Sequence, residues 1–127
     1  MQLAPLICVQ DVEASSNWYQ RLLGVESGHG GIEYERLNHR GRLVLQLHRW
    51  DTEHEHGPLG NVHDRPYGNG VLLWFELEDF DAAVARARLM NIDVVKEPIL
   101  SENGNYEFWL RDRDGYGIVL TSPLPQP

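Results

Sequence analysis

Two tryptophans and a small set of polar side chains share strand faces in this chain, and their types suit the holding of a small molecule. Along residues 70–78, Leu72, Trp74 and Glu76 alternate with Leu73, Phe75 and Leu77, so the two sets point to opposite sides of a strand. Along 105–111, Glu107, Trp109 and Arg111 alternate with Phe108 and Leu110. Along 42–49, Val44, Gln46 and His48 alternate with Leu43, Leu45 and Leu47. Indole walls with a few polar groups are the usual make-up of a small-molecule site. Indole faces suit flat aromatic or cationic ligands. Gln46, His48, Trp74, Glu76, Glu107, Trp109 and Arg111 are therefore the candidate ligand-binding residues. Blander readings stand beside this one. Either Trp can equally pack in a core or a dimer interface. His48 can be a general base, a ligand hydrogen-bond partner or a half-exposed strand residue. Glu107 and Arg111 lie four apart on one strand face, where a direct salt bridge is awkward, so each is available for ligand or for cross-strand pairing. No catalytic residue is assigned.

Two further groups of reactive side chains need weighing. The run Trp50-Asp51-Thr52-Glu53-His54-Glu55-His56, followed by His63-Asp64, is dense in metal-capable residues. H-x-H on an aperiodic loop fixes no ligand geometry, so the first reading is a solvated linker, then a lid, then adventitious metal binding. Cys8 is the single cysteine. It reads as a small buried residue rather than a nucleophile.

These residues are positioned by a unit that occurs twice. Leu3, Ile7, Val9 and Val12 match Val71, Phe75, Leu77 and Phe80, while Asp11, Glu13 and Ala14 match Asp79, Asp81 and Ala82. A long internal repeat marks two copies of one supersecondary unit that cannot bury its apolar face alone. In the first copy a strand over 3–9 leads to Asp11, a helix N-cap. Val12, Ser15, Trp18, Tyr19, Leu22 and Leu23 then recur at helical spacing, and Gly24 stops the helix. Strands follow at 25–29, Ile32–Asn38 and Arg42–Arg49, the last two joined at His39-Arg40-Gly41. In the second copy Gly70–Glu78 is a strand, and Asp79 caps a helix with Phe80, Ala83, Val84, Ala87 and Met90 on one face. Asp93–Lys96 is a short strand ended by Pro98. Asn105–Arg111, the turn Asp112-Arg113-Asp114-Gly115, and Tyr116–Ser122 form the last hairpin. The order is βαβββ twice, an α+β fold. Repeat 1 spans about 1–49, a linker about 50–69, and repeat 2 about 70–122, in a single domain of residues 1–127. The tail Pro123–Pro127 cannot continue a strand and is expected to fray.

Composition narrows the partners. Eleven basic against nineteen acidic residues give a net charge of -8 over 127 residues, which disfavours nucleic acid and anionic membrane. One cysteine rules out an intramolecular disulfide framework and fits a reducing cytoplasm. No apolar run approaches the roughly 20 residues of a membrane span. A cytoplasmic protein without a membrane or nucleic-acid partner is the expectation.

Three stretches carry a family resemblance. D-V-E-A-S-S-N-W-Y-Q-R-L-L-G (Asp11 to Gly24) and D-F-D-A-A-V-A-R-A-R (Asp79 to Arg88) resemble the two helices of the vicinal oxygen chelate superfamily. F-W-L-R-D-R-D-G-Y-G-I-V-L-T (Phe108 to Thr121) resembles its last hairpin, with Arg113 where that family usually has Pro. The superfamily holds glyoxalase I, extradiol dioxygenases, and fosfomycin and bleomycin resistance proteins. The resemblance covers nearly the whole chain and implies curved mixed sheets, helices outside, a concave cleft inside, and a homodimer. It also implies a divalent metal on four strand positions. Those fall here on Ala4, Leu72, Val119, and either Gln46 or His48. Aliphatic side chains offer no lone pair, so the expectation is no metal site and no cofactor.

The chain therefore reads as a small-molecule binding protein akin to the bleomycin resistance branch, sequestering an aromatic or cationic, antibiotic-like ligand. Whether it is an enzyme is open. The alternative is a lyase, isomerase or dioxygenase of the same fold, with a metal site displaced to His48 and the linker histidines. A second alternative is a structural dimer without ligand.

Overall fold

The computed structural model describes residues 1–50 and 59–126. The chain divides into two compact units, Met1–Asp64 and Arg65–Pro127. The first contains β1 (Leu6–Val9), α1 (Val12–Leu23), β2 (Glu26–Ser27), β3 (Tyr34–His39) and β4 (Arg42–Arg49). The second contains β5 (Leu72–Glu76), α2 (Phe80–Leu89), β6 (Asp93–Leu100), β7 (Tyr106–Arg111) and β8 (Gly117–Thr121). Each unit is thus one βαβββ copy, folded into a four-stranded mixed sheet. The orders are β1-β4-β3-β2 and β5-β8-β7-β6. In both, the first strand runs parallel to the last, and the last pairs antiparallel with its predecessor. A parallel neighbour needs a long crossover, which the helix and intervening strands supply.

In the first unit α1 forms as its spacing predicts. Asp11 accepts from the backbone N–H of Ala14 at 3.0 Å, and Gly24 closes the helix at φ 71. That left-handed conformation suits glycine. Val12, Tyr19, Leu22 and Leu23 are buried against a sheet face made by Ile7, Val9, Leu37, Leu45 and Leu47. The β3–β4 hairpin turns through Arg40 (φ 50) and Gly41 (φ 80), the two positive-φ positions of a tight primed turn.

The helix-side face also holds a charge that sequence periodicity does not reveal. Glu35 is 3% exposed. One carboxylate oxygen accepts from the N–H groups of His29 (3.1 Å), Gly30 (2.8 Å) and Arg36 (2.9 Å). The other accepts from the hydroxyls of Ser16 (2.9 Å) and Ser27 (2.7 Å). Burial alone pushes the Glu35 carboxyl up. Donors at Gly30, Ser27, Ser16 and Arg36 outweigh it and hold the group below the ordinary glutamate range. Glu35 thereby ties α1 and the 27–30 loop to β3.

The second unit departs from its sequence pattern in two places. Asp79 occupies the N-cap position of α2 but makes no side-chain capping bond. Its backbone is not in the extended conformation that aims a cap at the helix N–H groups, and its carboxylate lies 3.5 Å from Arg86 instead. Strand β6 does not stop at Pro98 but runs on to Leu100. It is an edge strand whose register shifts between Lys96 and Ile99, and a bulged edge tolerates a proline. Smaller differences shorten the expected strands: 25–29 becomes Glu26–Ser27, and 32–38 begins at Tyr34. The Asp112–Gly115 turn is held by Asp112, whose carboxylate accepts from the N–H groups of Asp114 and Tyr116, both at 2.9 Å. The tail packs back at Pro125, which leaves 3.0 Å for any β-carbon added at Gly104.

Candidate functional site

Strand register decides which side chains of the second unit meet. Trp74 pairs with Val119, Val119 with Trp109, and Trp109 with Lys96. These four form one row across β5, β8, β7 and β6. The Arg88 guanidinium of α2 stands 5.1 Å over the Phe108 ring, so Phe108 faces the helix and Trp109 faces away. The alternation expected from sequence holds along β5 and β7. Leu73, Phe108 and Leu110 are buried, and Trp74, Glu76 and Arg111 are exposed.

Trp74 and Trp109 start two strands apart, about 9.6 Å across the sheet. Their ring centroids are only 6.3 Å apart, edge to face at 80°. The indoles lean together above Val119, which is 0% exposed. Trp109 is engaged on several sides. Its Nε1–H donates to Glu107 at 3.0 Å, and the Lys96 Nζ lies 5.0 Å from its centroid, within cation–π range. Trp74 is 51% exposed. Glu76 follows it on the same side of β5, and among the described residues its carboxylate makes no hydrogen bond or ion pair. Arg111 is exposed and donates to the Gly115 carbonyl at 3.3 Å.

In the first unit the face opposite α1 carries Gln46 and His48, joined by Tyr34 and Cys8. Tyr34 pairs with His48, His48 with Cys8, and Gln46 with both Leu6 and Arg36. The Tyr34 hydroxyl donates to Gln46 Oε1, and Gln46 Nε2 donates to the Ala4 carbonyl at 3.0 Å. Tyr34 stands 6.3 Å from the His48 ring. His48 is 6% exposed. Its Nδ1 lies 2.6 Å from the Arg49 carbonyl, which can only accept, so Nδ1 carries a proton. Cys8 is buried, its Sγ 3.8 Å from the Leu59 carbonyl oxygen. Residues 51–58, including His54 and His56, lie outside the described residues. His63 is exposed in a turn, where its N–H donates to Asn61. Thus Trp74, Glu76, Glu107, Trp109 and Arg111 share the second unit's open face, while Gln46 and His48 share the first unit's face opposite α1, where His48 is buried rather than half-exposed.

The two units' geometry and topology identify the relatives. The model of the Glyoxalase/Bleomycin resistance protein/Dioxygenase superfamily matches residues 2–120. The chain belongs to this superfamily. No curated protein sequence matches the chain significantly. Among solved structures the chain is similar to TioX from Micromonospora sp. ML1, at 17% identity and TM-score 0.76, covering 98% of this chain and 99% of that one. It is similar to lactoylglutathione lyase from Agrobacterium tumefaciens, at 16% identity and TM-score 0.71, covering 96% and 92%. It is also similar to the bleomycin resistance determinant encoded on transposon Tn5, at 16% identity and TM-score 0.67, covering 96% and 97%. Likeness at these identities is likeness of fold.

The superfamily resemblance implies a metal, and the strand register tests the fit. Leu6 stands five residues before Asp11 and pairs with Gln46; Trp74 stands five before Asp79 and pairs with Val119. Gln46, rather than His48, is therefore the counterpart of Val119 and the fourth ligand position. Its amide oxygen and nitrogen are both engaged, by Tyr34 and by Ala4. Val119 lies under two indoles, and Ala4 and Leu72 are aliphatic. These residues do not fit a divalent ion. Among the described residues, no group of three or more His, Cys, Asp or Glu is placed to hold one.

Sequence reasoning missed Tyr34 and Lys96. Counting back from the Arg40-Gly41 turn puts Tyr34 opposite Leu47, and only the bulge between Leu37 and Asn38 brings it opposite His48. Lys96 was hidden in the same way, because the shifts flanking it break strand parity.

Proposed function

We propose that the protein binds a flat aromatic or cationic small molecule without a metal, and that it sequesters rather than transforms it. One observation carries this reading. Trp74 keeps half of a large apolar ring in water on a sheet face already lined by a second indole. Burying such a ring is worth about 2 kcal/mol or more, so its exposure marks a contact awaiting a partner. Glu76, Glu107 and Arg111 supply polar contacts on the second unit's face in this reading, and Gln46 and His48 supply them on the first unit's own face. A fold shared with a bleomycin resistance determinant supports an antibiotic-like ligand. A homodimer is part of the proposal, since β5 and β6 are sheet edges and β6 exposes Val95, Ile99 and Leu100.

Calorimetric titration with bleomycin and with neutral acridine tests the reading. A stacking contribution of about 1 kcal/mol beyond area burial predicts that Trp74→Ala weakens a bound planar aromatic about fivefold or more, with the circular dichroism unchanged. Failure of both compounds to bind the wild-type protein below millimolar concentration would remove this function.

A further inference from the structure

The open face of the second unit is not chemically symmetric, although its two indoles look alike in sequence. Trp109 already has a cation. Lys96 Nζ lies 5.0 Å from its centroid, its Nε1–H is committed to Glu107, and Trp74 abuts it edge to face. The nearest charges on that side are spoken for within the unit: Glu107 by the indole, Lys96 by the ring face, Arg111 by the Gly115 carbonyl. On β5 the situation is the reverse. Trp74 is 51% exposed, and the carboxylate of Glu76, two residues on, has no partner among the described residues. Same-side neighbours on a strand stand about 7 Å apart, the reach of a planar ligand that stacks on one and extends a charge to the other.

Resting on the binding function proposed above, we infer that this site selects planar monocations, with Trp74 and Glu76 as the recognition pair and Lys96 as a built-in competitor that holds Trp109. A cation stacked on Trp74 gains both the indole face and the carboxylate. A neutral ring gains only the first, and a planar anion meets Glu76 unfavourably. Lys96 acts against the same ligand in two ways. It covers the Trp109 face that a second stacking contact would use, and its like charge stands one ring away from the bound cation. Its role is to set specificity, confining the ligand to the β5 side and keeping affinity for cations moderate.

The test compares proflavine, a planar monocation, with acridine, its neutral counterpart near pH 7.5, and with anthracene-2-carboxylate, a planar anion. Dissociation constants are measured by calorimetry on the full chain. Wild type should bind in the order proflavine, acridine, anthracene-2-carboxylate. The readout is the ratio of proflavine to acridine affinity, which a loss of folding or of stacking alone does not move. Exposed ion pairs predict that Glu76→Gln lowers this ratio about two- to fivefold. Exposed cation–π energies predict that Lys96→Met raises the ratio about two- to fivefold. Trp74→Ala should weaken both ligands. Equal or weaker binding of proflavine by wild type, or a ratio unmoved by Glu76→Gln, overturns the recognition pair. A ratio unmoved by Lys96→Met overturns the competitor role. If acridine binds and these ratios stay flat, the binding function stands and the charge selection falls. If neither bleomycin nor any of the three compounds binds, the binding function falls first; if bleomycin alone binds, the charge selection falls and the binding function stands.

Discussion

Removing the Glu35 carboxylate should destabilise the first unit by an amount set by which of its donors remain buried. The side chain accepts from His29, Gly30, Arg36, Ser16 and Ser27. His29 is exposed and Gly30 partly so, so in Glu35→Ala their N–H groups can turn to water. Ser16 is 3% exposed and already accepts from Gln20, so its hydroxyl proton is stranded. One or two buried donors at about 1–3 kcal/mol each, plus the space left by the lost methylenes, predict a loss of about 2–4 kcal/mol. With an m-value near 1.5 kcal/mol/M that is roughly a 1–3 M fall in the urea midpoint. Glu35→Gln keeps an acceptor for the backbone donors but turns an NH2 toward two hydroxyls, and should cost about half as much. The two variants also differ from wild type in pH dependence. The folded carboxyl lies below the ordinary glutamate value because its hydrogen bonds outweigh burial. The stabilisation it brings is therefore fully present above about pH 4.3 and is lost as pH falls through the folded value. Urea midpoints by circular dichroism between pH 7 and pH 3 should show wild type losing this increment on acidification and Glu35→Gln lacking it. A midpoint shift for Glu35→Ala at pH 7 below about 0.3 M, or parallel acid profiles for wild type and Glu35→Gln, would show that the cage contributes no net stability.

Other expectations follow from single features. Asp112→Ala removes the acceptor for the Asp114 and Tyr116 N–H groups at a buried turn, and a loss of about 1–3 kcal/mol should appear in thermal melts; an unchanged melting point would contradict the role given to that turn. Protein purified without added metal should carry far less than one equivalent of Zn, Ni, Mn or Fe by elemental analysis, since Ala4, Leu72 and Val119 stand at the ligand positions. Stoichiometric metal surviving mild chelation would refute that. Light scattering at tens of micromolar should give the mass of a dimer, and a monomer would withdraw the proposed homodimer.

Much of this architecture is local and so was legible in the chain. Side-chain alternation along a strand depends on pleat alone, which is why Leu73, Phe108 and Leu110 were assignable to the buried side and Trp74 and Arg111 to the other. The repeat about Asp11 and Asp79, the α1 cap and stop, and the βαβββ order are likewise written in neighbouring residues. The failures lie where a neighbour in space outweighs a neighbour in sequence. Asp79 has the residue type of a cap but not the backbone. Pro98 has the look of a strand end but lies on a bulged edge that tolerates it. Nothing in the strand pattern marks Glu35, because α1 and the 27–30 loop close over it with four of its five donors. The asymmetry of the two indoles belongs to this second kind. Trp74 and Trp109 lie 35 positions apart in the chain, and only the insertion of β8 between their strands brings them together over Val119. Only the register shift around Lys96 lays an ammonium on one ring and leaves the other open. Parity is set within one strand by covalent geometry. Register between distant strands is set by which packed arrangement has the lowest free energy, and that quantity exists only once the chain is folded.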